Sequence, residues 1–151
     1  GGSLDAQTCY LLERSIKTLF IRTKQQNENA EKIARFLFDH PEINKVFYPG
    51  LPSHENHETA KKQMKGFGGM LSFELKNKDI VSFQKDLKLI QPAISLGGVD
   101  TTVTAPTLTS HRHLSETEKE EEGITDKLLR LSVGIENADD LIDDLKQALK
   151  S

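Results

Sequence analysis

The stretch from Leu128 to Glu136, Leu-Leu-Arg-Leu-Ser-Val-Gly-Ile-Glu, most constrains what this chain can fold into. Successive side chains of a β-strand point to opposite faces, so this alternation predicts a strand with one aliphatic face and one polar face. The aliphatic face comprises Leu129, Leu131, Val133 and Ile135, and the polar face comprises Arg130, Ser132, Gly134 and Glu136. We therefore expect the aliphatic face to be buried and the rest of the domain to pack on it.

Arg130 is the residue of chemical interest on the polar face of this strand. Its guanidinium offers a planar fork of donors that matches a carboxylate, and the same face carries a hydroxyl and a glycine. We interpret this face as a surface that could receive an anion. An arginine on the solvated side of an ordinary half-exposed strand is the alternative, and the strand pattern is compatible with both.

Composition narrows the class of protein. A chain of 151 residues is one domain, long enough to bury a core without disulfides or metals. The formal charge of -3 comes from 20 basic and 23 acidic residues mixed along the chain, which argues against nucleic acid and acidic membranes as partners. No apolar run approaches the roughly 20 residues of a bilayer span, and no signal pattern begins the chain. The only cysteine, Cys9, fits a reducing compartment and is expected to pack on the first helix, so we predict a cytoplasmic protein.

Hydrophobic periodicity predicts helices separated by short strands. A long amphipathic helix near residues 5–23 is followed, after the polar stretch 25–29, by a second helix or kinked continuation that ends at His40-Pro41. Further helices are predicted near 55–64, 79–87, 115–123 and 137–150, and strands at 43–48, 70–75, 90–95 and 128–136, with an edge strand or extended loop at 101–109. In the 70–75 strand, Leu71, Phe73 and Leu75 are expected inward and Ser72 and Glu74 outward.

This order of elements predicts an α+β fold. We expect a two-layer sandwich in which helices pack on one face of a small, mainly antiparallel sheet, preceded by the long N-terminal helix.

Other motifs that suggest chemistry have simpler explanations. The glycine cluster Gly66 to Gly69 precedes a strand, whereas a phosphate loop opens a helix, so we interpret it as a structural turn. His54 and His57 are one residue too close for two zinc ligands on one helical face. His111 and His113 lie in a polar loop where a solvated role is favoured over general base catalysis. No nucleophile and base pair and no complete cofactor motif emerges.

Several blocks of sequence, in order along the chain, carry a family resemblance. They are Leu4-Asp5, Lys17-Thr18-Leu19, Asn29-Ala30, Tyr48-Pro49-Gly50-Leu51, Ser53-His54, Gln63-Met64, Gly66-Phe67-Gly68-Gly69-Met70 through Phe73, Ser95-Leu96-Gly97-Gly98-Val99 and Arg130 to Glu136. Together they resemble the C-terminal part of the pyridoxal-phosphate enzymes of cysteine and methionine metabolism, the cystathionine γ-synthase, cystathionine lyase and methionine γ-lyase family.

The resemblance implies that residues 1–151 are the small C-terminal domain of a fold-type I pyridoxal-phosphate (PLP) enzyme. The Schiff-base lysine and most contacts to the cofactor would belong to a large domain absent from this chain, which would be inactive alone and supply no catalytic, cofactor-binding or metal-binding residue. Its partners would be that large domain, the sister subunits of a homo-oligomer and an amino-acid substrate. Gly1-Gly2-Ser3 leads directly into the helical pattern at Leu4, as a cloning remnant or a cut within a larger protein would.

The resemblance also implies roles for individual residues. Arg130, helped by Ser95, would clamp the substrate α-carboxylate, and Leu96 and Asp100 are further candidates for contact with the substrate. Leu96 is similar to the γ-synthase and γ-lyase branches of the family.

Two segments depart from the family pattern. The family commonly has Glu-Ser-Leu where this chain has Asp100-Thr101-Thr102, and Met-Thr-His where it has Thr109-Ser110-His111. The shorter acidic side chain leaves the exact substrate open. A free-standing amino-acid- or carboxylate-binding module, with a regulatory role and no catalysis, is the alternative to an enzyme domain.

Overall fold

The computed structural model describes residues 2–150, and its elements alternate between helices and short strands. In chain order they are α1 (Ala6–Ile16), α2 (Leu19–Phe38), β1 (Ile43–Phe47), α3 (His57–Gln63), β2 (Met70–Leu75), α4 (Ile80–Asp86), β3 (Gln91–Pro92), β4 (Thr102–Thr104), a 3₁₀ turn (Pro106–Leu108), α5 (Glu116–Glu121), β5 (Leu128–Ser132) and α6 (Ala138–Lys150). None of these helices is long and apolar enough to cross a membrane.

The five strands form one open sheet in the order β1-β2-β5-β4-β3. Neighbouring strands are antiparallel except for β3 and β4, which run parallel. At the centre, β2 pairs with β5 so that Phe73 lies opposite Leu129 and Ser72 lies opposite Arg130. The predicted α+β class and the mainly antiparallel sheet are confirmed.

One hydrophobic core joins the sheet to the helices. Its fully buried side chains come from β2, β4 and β5 and from α2, α4 and α6, and they include Phe73, Val103, Leu129, Leu131, Ile33, Leu37, Phe83, Leu141 and Leu145. The rings of Phe73 and Phe83 meet edge to face with centroids 6.0 Å apart. Burying each such side chain contributes about 1.5–3 kcal/mol, so the alternation of β2 and β5 determines which of their side chains enter the core.

The strand predicted at 128–136 ends at Ser132. Its neighbours stop there: Met70, the first residue of β2, and Thr102, the first of β4, both pair with Ser132. Beyond this point the backbone N–H of Val133 donates to the carbonyl of Gly69 at 2.8 Å. The predicted alternation therefore fails from Ser132 onward: Ser132 and Gly134 are buried, whereas Ile135 is exposed.

Two further strand predictions are wrong in extent. The segment predicted as an edge strand or loop at 101–109 contains β4, which is an interior strand between β5 and β3 and is followed by the 3₁₀ turn that Pro106 begins. The strand predicted at 90–95 shrinks to Gln91–Pro92. Proline has no N–H to donate to a neighbouring strand, so strands that contain proline are mostly found at the edge of a sheet, as β3 is here.

The break in the N-terminal helical region lies at Lys17-Thr18 and not in the polar stretch 25–29, which continues inside α2. Arg22 reaches back across the break and donates from Nη2 to the carbonyl of Ser15 at 2.9 Å. No residue of α1 is buried, so the expectation that Cys9 packs is wrong and its thiol is exposed.

Glu74 is buried although the strand pattern placed it outward. The alternation of β2 does turn Glu74 away from Phe73 and Leu75, but Asn44 of β1 and Thr125 lie against its carboxylate on that side. Its carboxylate accepts hydrogen bonds of 3.0 Å from Asn44 Nδ2 and from Thr125 Oγ1, which compensate for the loss of water.

Asp144 of α6 anchors the segment that leads into β3. The carboxylate is 6% exposed and accepts hydrogen bonds of 2.9 Å from the backbone N–H groups of Lys88, Leu89 and Ile90. Consecutive amides of an irregular segment have no secondary-structure partner, so a buried carboxylate that receives all of them substitutes for a strand neighbour.

We expect Asp144→Ala to lower the free energy of unfolding by about 3 kcal/mol, because buried amides lose their acceptor. Asp144→Asn, which retains one carbonyl oxygen, should lose less. The matched control is Asp143→Ala, since Asp143 is the exposed neighbour on the same helix; we expect it to change stability by less than about 0.5 kcal/mol. Urea denaturation measures all three variants, and equal losses for the two alanine variants would contradict the anchoring role.

The buried phenol of Tyr48 makes the free energy of unfolding depend on pH in the alkaline range. Its side chain is 1% exposed, and its hydroxyl donates to the carbonyl of Gly68 at 3.2 Å. Burial, reinforced by the negative charge of Glu31, raises the pKa of Tyr48 from 10.0 to about 12. The folded protein therefore keeps the phenol proton at a pH where the unfolded chain releases it.

Stability should fall as pH rises from about 10 to about 12, because the unfolded state then binds fewer protons than the folded state. Over this pH range the free energy of unfolding should fall by a total on the order of 2 to 3 kcal/mol through Tyr48. Denaturation at a series of pH values, with Tyr48→Phe as the control that subtracts the other titrating groups, measures it. An identical pH dependence in the phenylalanine variant would disprove this assignment.

Candidate functional site

Arg130 lies at the centre of the sheet, on the middle position of β5. Its cross-strand neighbours are Ser72 on β2 and Thr104 on β4. Since Leu129 and Leu131 on either side belong to the core, the alternation of β5 directs Arg130 to the opposite face. Its Nη2 donates to the backbone carbonyl of Ser95 at 3.4 Å. The structure therefore brings together the two residues that the sequence assigns to a carboxylate clamp.

The guanidinium of Arg130 retains donor capacity. Its Nε is buried and has no hydrogen-bond partner among residues 2–150. The ion pairs formed within this part of the chain also leave Arg130 out. A buried donor without an acceptor costs about 1–3 kcal/mol, and an unpaired buried group is typical of a site that receives a ligand. Neither an internal ion pair nor full solvation explains the placement of this side chain.

The 94–100 loop, the segment between β3 and β4, crosses the polar face next to Arg130. Every one of its residues is exposed, yet its backbone is tied down. The N–H of Gly97 donates to Ser132 Oγ at 2.9 Å, and the carbonyl of Val99 accepts from the N–H of Ile135 at 2.9 Å. The loop thus presents side chains to solvent from a fixed backbone.

The candidate residues differ in how the loop places them. Ser95 meets Arg130 through its carbonyl, and its hydroxyl makes no hydrogen bond to any residue that the structure describes. Leu96 is 60% exposed. Asp100 is also exposed and, within residues 2–150, forms no ion pair with Arg130. Leu96 and Asp100 therefore share the loop without contributing to the contact that Ser95 makes.

Helix α2 supplies polar side chains that sequence analysis missed. Gln26 is 8% exposed and donates from Nε2 to the carbonyl of Gly98 at 2.6 Å. Asn29 is 1% exposed and donates from Nδ2 to the carbonyls of Gly134 and Glu136 at 3.1 and 2.8 Å. The sequence predicts that the helix ends or kinks in this polar stretch, whereas the amides of Gln26 and Asn29 lie inside α2 and bind both the 94–100 loop and the segment after β5.

Thr101 and Glu136 form a second missed contact. Thr101 is fully buried and donates from its backbone N–H and its hydroxyl to the Glu136 carboxylate at 2.6 and 2.8 Å. The hydroxyl also accepts from the N–H of Gly134 at 2.8 Å. These bonds join the end of the 94–100 loop to the segment after β5. The sequence signal was the β-branched hydroxyl pair Thr101-Thr102, which the strand prediction treated only as strand propensity.

The other motifs take structural positions. The ring of His57 stacks on Phe67 with centroids 5.6 Å apart, and its Nδ1 lies 2.7 Å from the carbonyl of Pro49. Gly68 has a φ of +87° and donates from its N–H to Asn27 Oδ1 at 2.5 Å, so this amide of the glycine cluster is already used. His111 lies 2.8 Å from Ser110 Oγ in an exposed contact. Within residues 2–150 no group of three or more His, Cys, Asp or Glu residues is arranged to hold a metal.

The donors around Arg130 fit a carboxylate and do not fit the cofactor that the resemblance implies. The open donor is the guanidinium of Arg130, since the hydroxyls of Thr102 and Thr104 already donate to the carbonyls of Ser95 and Ala93 and Ser132 Oγ accepts from the N–H of Gly97. A PLP site requires a lysine for the Schiff base, and no lysine of the described part of the chain bonds to this set. The unpartnered Nε instead suits a planar anion.

The close approach at Gly134 yields a test of how the site is held. A Cβ at this position would overlap the carbonyl oxygen of Val99 and the carboxylate of Glu136, and would lie 2.7 Å from the backbone carbon of Asp100. We expect Gly134→Ala to lower the free energy of unfolding by about 2 kcal/mol because the 94–100 loop must shift.

Gly98→Ala is the matched control, since its Cβ would meet only the backbone nitrogen of Asp100 at 3.9 Å. We expect this control to cost less than about 1 kcal/mol. Denaturation gives the stability change, and hydrogen exchange of the amides of residues 97 and 101 reports the displacement of the loop. Unchanged exchange and stability in Gly134→Ala would contradict the described packing.

Comparisons with known proteins agree with this architecture. The chain is 46% identical over 151 residues to cystathionine β-lyase of Lactococcus lactis subsp. cremoris, covering 99% of this chain and 40% of that protein. It is 45% identical over 152 residues to cystathionine γ-lyase of Bacillus subtilis (strain 168), covering 100% and 40%. The chain therefore spans about 40% of the length of these curated relatives.

Solved structures give the same picture. The fold matches cystathionine γ-lyase from Lactobacillus plantarum complexed with L-serine with a TM-score of 0.92 and 40% identity, covering 98% of this chain and 39% of that one. A putative O-acetylhomoserine (thiol)-lyase from Campylobacter jejuni subsp. jejuni NCTC 11168, with N'-pyridoxyl-lysine-5'-monophosphate at position 205, matches with a TM-score of 0.93 and 41% identity, covering 100% and 37%. The model of the family described as Cys/Met metabolism PLP-dependent enzyme matches residues 1–150. The chain belongs to this family, whose cofactor is pyridoxal phosphate.

Proposed function

We propose that this chain is the C-terminal domain of a PLP-dependent transsulfuration-type enzyme, that it binds the α-carboxylate of the substrate, and that it is inactive alone. Arg130 is the residue that carries this proposal, because its buried Nε lacks a partner within residues 2–150 while its Nη2 touches the Ser95 carbonyl. A guanidinium in a half-buried position binds a carboxylate more strongly than one in bulk water.

The relatives support an amino acid as the ligand. Their names describe lyases that act on cystathionine or methionine, and the Lactobacillus plantarum structure contains L-serine. Every such molecule carries an α-carboxylate. The open hydroxyl of Ser95 lies beside the clamp, and we assign it a second hydrogen bond to the same carboxylate.

A clamp on the carboxylate would orient the substrate. PLP, when bound, supplies the electron sink for bond cleavage at or near Cα. The contribution of Arg130 is to fix rotation about the bond between the carboxylate and Cα, so that the bond to be broken is correctly aligned. Side chains of the same loop, Leu96 and Asp100, would face the remainder of the substrate because both are exposed beside the clamp.

The exposed apolar surface of the N-terminal helices supports the proposed protein partners. Leu4, α1 and the first turn of α2 expose Leu4, Tyr10, Leu11, Leu12, Ile16, Leu19, Phe20 and Ile21, each at least 45% accessible. Large apolar side chains exposed together on two adjoining helical segments are typical of a protein interface. We assign it to the large PLP-binding domain and to sister subunits of a cytoplasmic homo-oligomer, with the present chain forming the two-layer small domain.

Arg130→Lys in the full-length enzyme tests the carboxylate clamp. Lysine keeps the positive charge but loses the planar fork, so we expect kcat/KM to fall by an amount equivalent to about 2 to 4 kcal/mol. Steady-state kinetics with L-cystathionine and with L-methionine measure the effect.

The matched control is Arg35→Lys, because Arg35 is exposed on α2 and, among residues 2–150, forms an ion pair only with Glu31. It should leave kcat/KM within about twofold of the native value. Near-native kinetics of Arg130→Lys would refute the clamp, and a native gene product no longer than this chain would refute the assignment as one domain of a larger enzyme.

A further inference from the structure

The backbone carbonyl of Ser95 accepts two hydrogen bonds. Arg130 Nη2 donates to it at 3.4 Å, and Thr102 Oγ1 donates to it at 3.1 Å. Such bonds in proteins cluster near about 2.9–3.0 Å for N–H donors and about 2.7–2.8 Å for O–H donors, so both contacts are long and the one from Arg130 exceeds its usual distance by more. The hydroxyl of Thr102 therefore makes the stronger hydrogen bond to the Ser95 carbonyl, which the guanidinium of Arg130 also contacts.

Thr102 occupies a position suited to this role. It is the first residue of β4 and pairs with Ser132, while Thr104 two residues later pairs with Arg130. Residues two apart on a strand share a face, so both threonines lie on the face that carries Arg130. The hydroxyl of Thr104 donates to the carbonyl of Ala93. The two β4 hydroxyls thus hold the backbone on both sides of Ile94, directly next to the guanidinium.

We propose that Thr102 is a positioning residue for substrate-carboxylate binding, acting through the Ser95 carbonyl on Arg130; this rests on the proposed function of Arg130. When a carboxylate binds the guanidinium, the long hydrogen bond from Nη2 to the Ser95 carbonyl breaks. Thr102 then keeps the carbonyl paired and prevents Ser95 from moving away from the clamp.

The test compares Thr102→Val, which keeps the shape of the side chain but removes the donor, with Thr102→Ser, which keeps the donor. Both are measured in the full-length, cofactor-loaded enzyme with L-cystathionine and L-methionine. We expect Thr102→Val to raise KM about fivefold and to change kcat less than about twofold, as the loss of one neutral hydrogen bond predicts. Thr102→Ser should return KM to within about twofold of the native value.

A double-mutant cycle with Arg130→Lys separates a positioning role from a purely structural one. If Thr102 acts through Arg130, Thr102→Val should change KM by less than about twofold once lysine occupies position 130. The same fivefold rise in both backgrounds would overturn the inference, because Thr102 would then act independently of the clamp. Thr102→Leu serves as a second donor-free variant if Thr102→Val lowers the thermal midpoint.

The outcomes also separate this inference from the function on which it rests. Native KM in Thr102→Val and Thr102→Leu, together with impaired Arg130→Lys, would overturn the positioning role alone. Native kinetics in Arg130→Lys would overturn the carboxylate clamp itself. A raised KM in Thr102→Val that Thr102→Ser does not restore would also count against the proposal, since the hydroxyl would not be the group responsible.

Discussion

The antiparallel pairing of β2 with β5 is the interaction on which the rest of the structure depends. Because Phe73 lies opposite Leu129 and Ser72 opposite Arg130, each side chain of the two strands is assigned either to the core face or to the opposite face of the sheet. A shift by one residue would bury the guanidinium in the core and expose the leucines, at a cost far above the stability of a domain this size. The burial of aliphatic side chains therefore also determines where the polar site lies.

Polar contacts then refine what the core defines. Within residues 95–101, the carbonyls of Ser95, Gly98 and Val99 and the N–H groups of Gly97 and Thr101 are satisfied by side chains from α2, β4 and β5 and by the segment after β5. Gln26, Thr102 and Ser132 each use a single hydrogen bond for this purpose. Buried or half-buried backbone groups without strand partners require such acceptors and donors, so an irregular loop acquires one defined path.

Sequence patterns could predict the parts of this protein that depend on local alternation. The strand at 70–75 and the placement of Arg130 opposite the leucines follow from spacing alone. The end of β5 at Ser132 could not be predicted, because it depends on where β2 and β4 begin. The role of Gln26 was also hidden, since its partner, Gly98, is 72 residues away in the chain. Family resemblance, and not periodicity, supplied the link between Ser95 and Arg130.

The manner in which the 94–100 loop is fastened has a consequence for how this site can diversify. Its anchors engage main-chain atoms: the carbonyls of Ser95, Gly98 and Val99 and the N–H of Gly97. Only Gly97, with a φ of +75°, demands a particular residue for conformational reasons. Mutation can therefore exchange the side chains at 94, 96 and 100 while the backbone keeps its course. The exposed side chains of this loop can therefore vary without loss of the contacts that hold the fold.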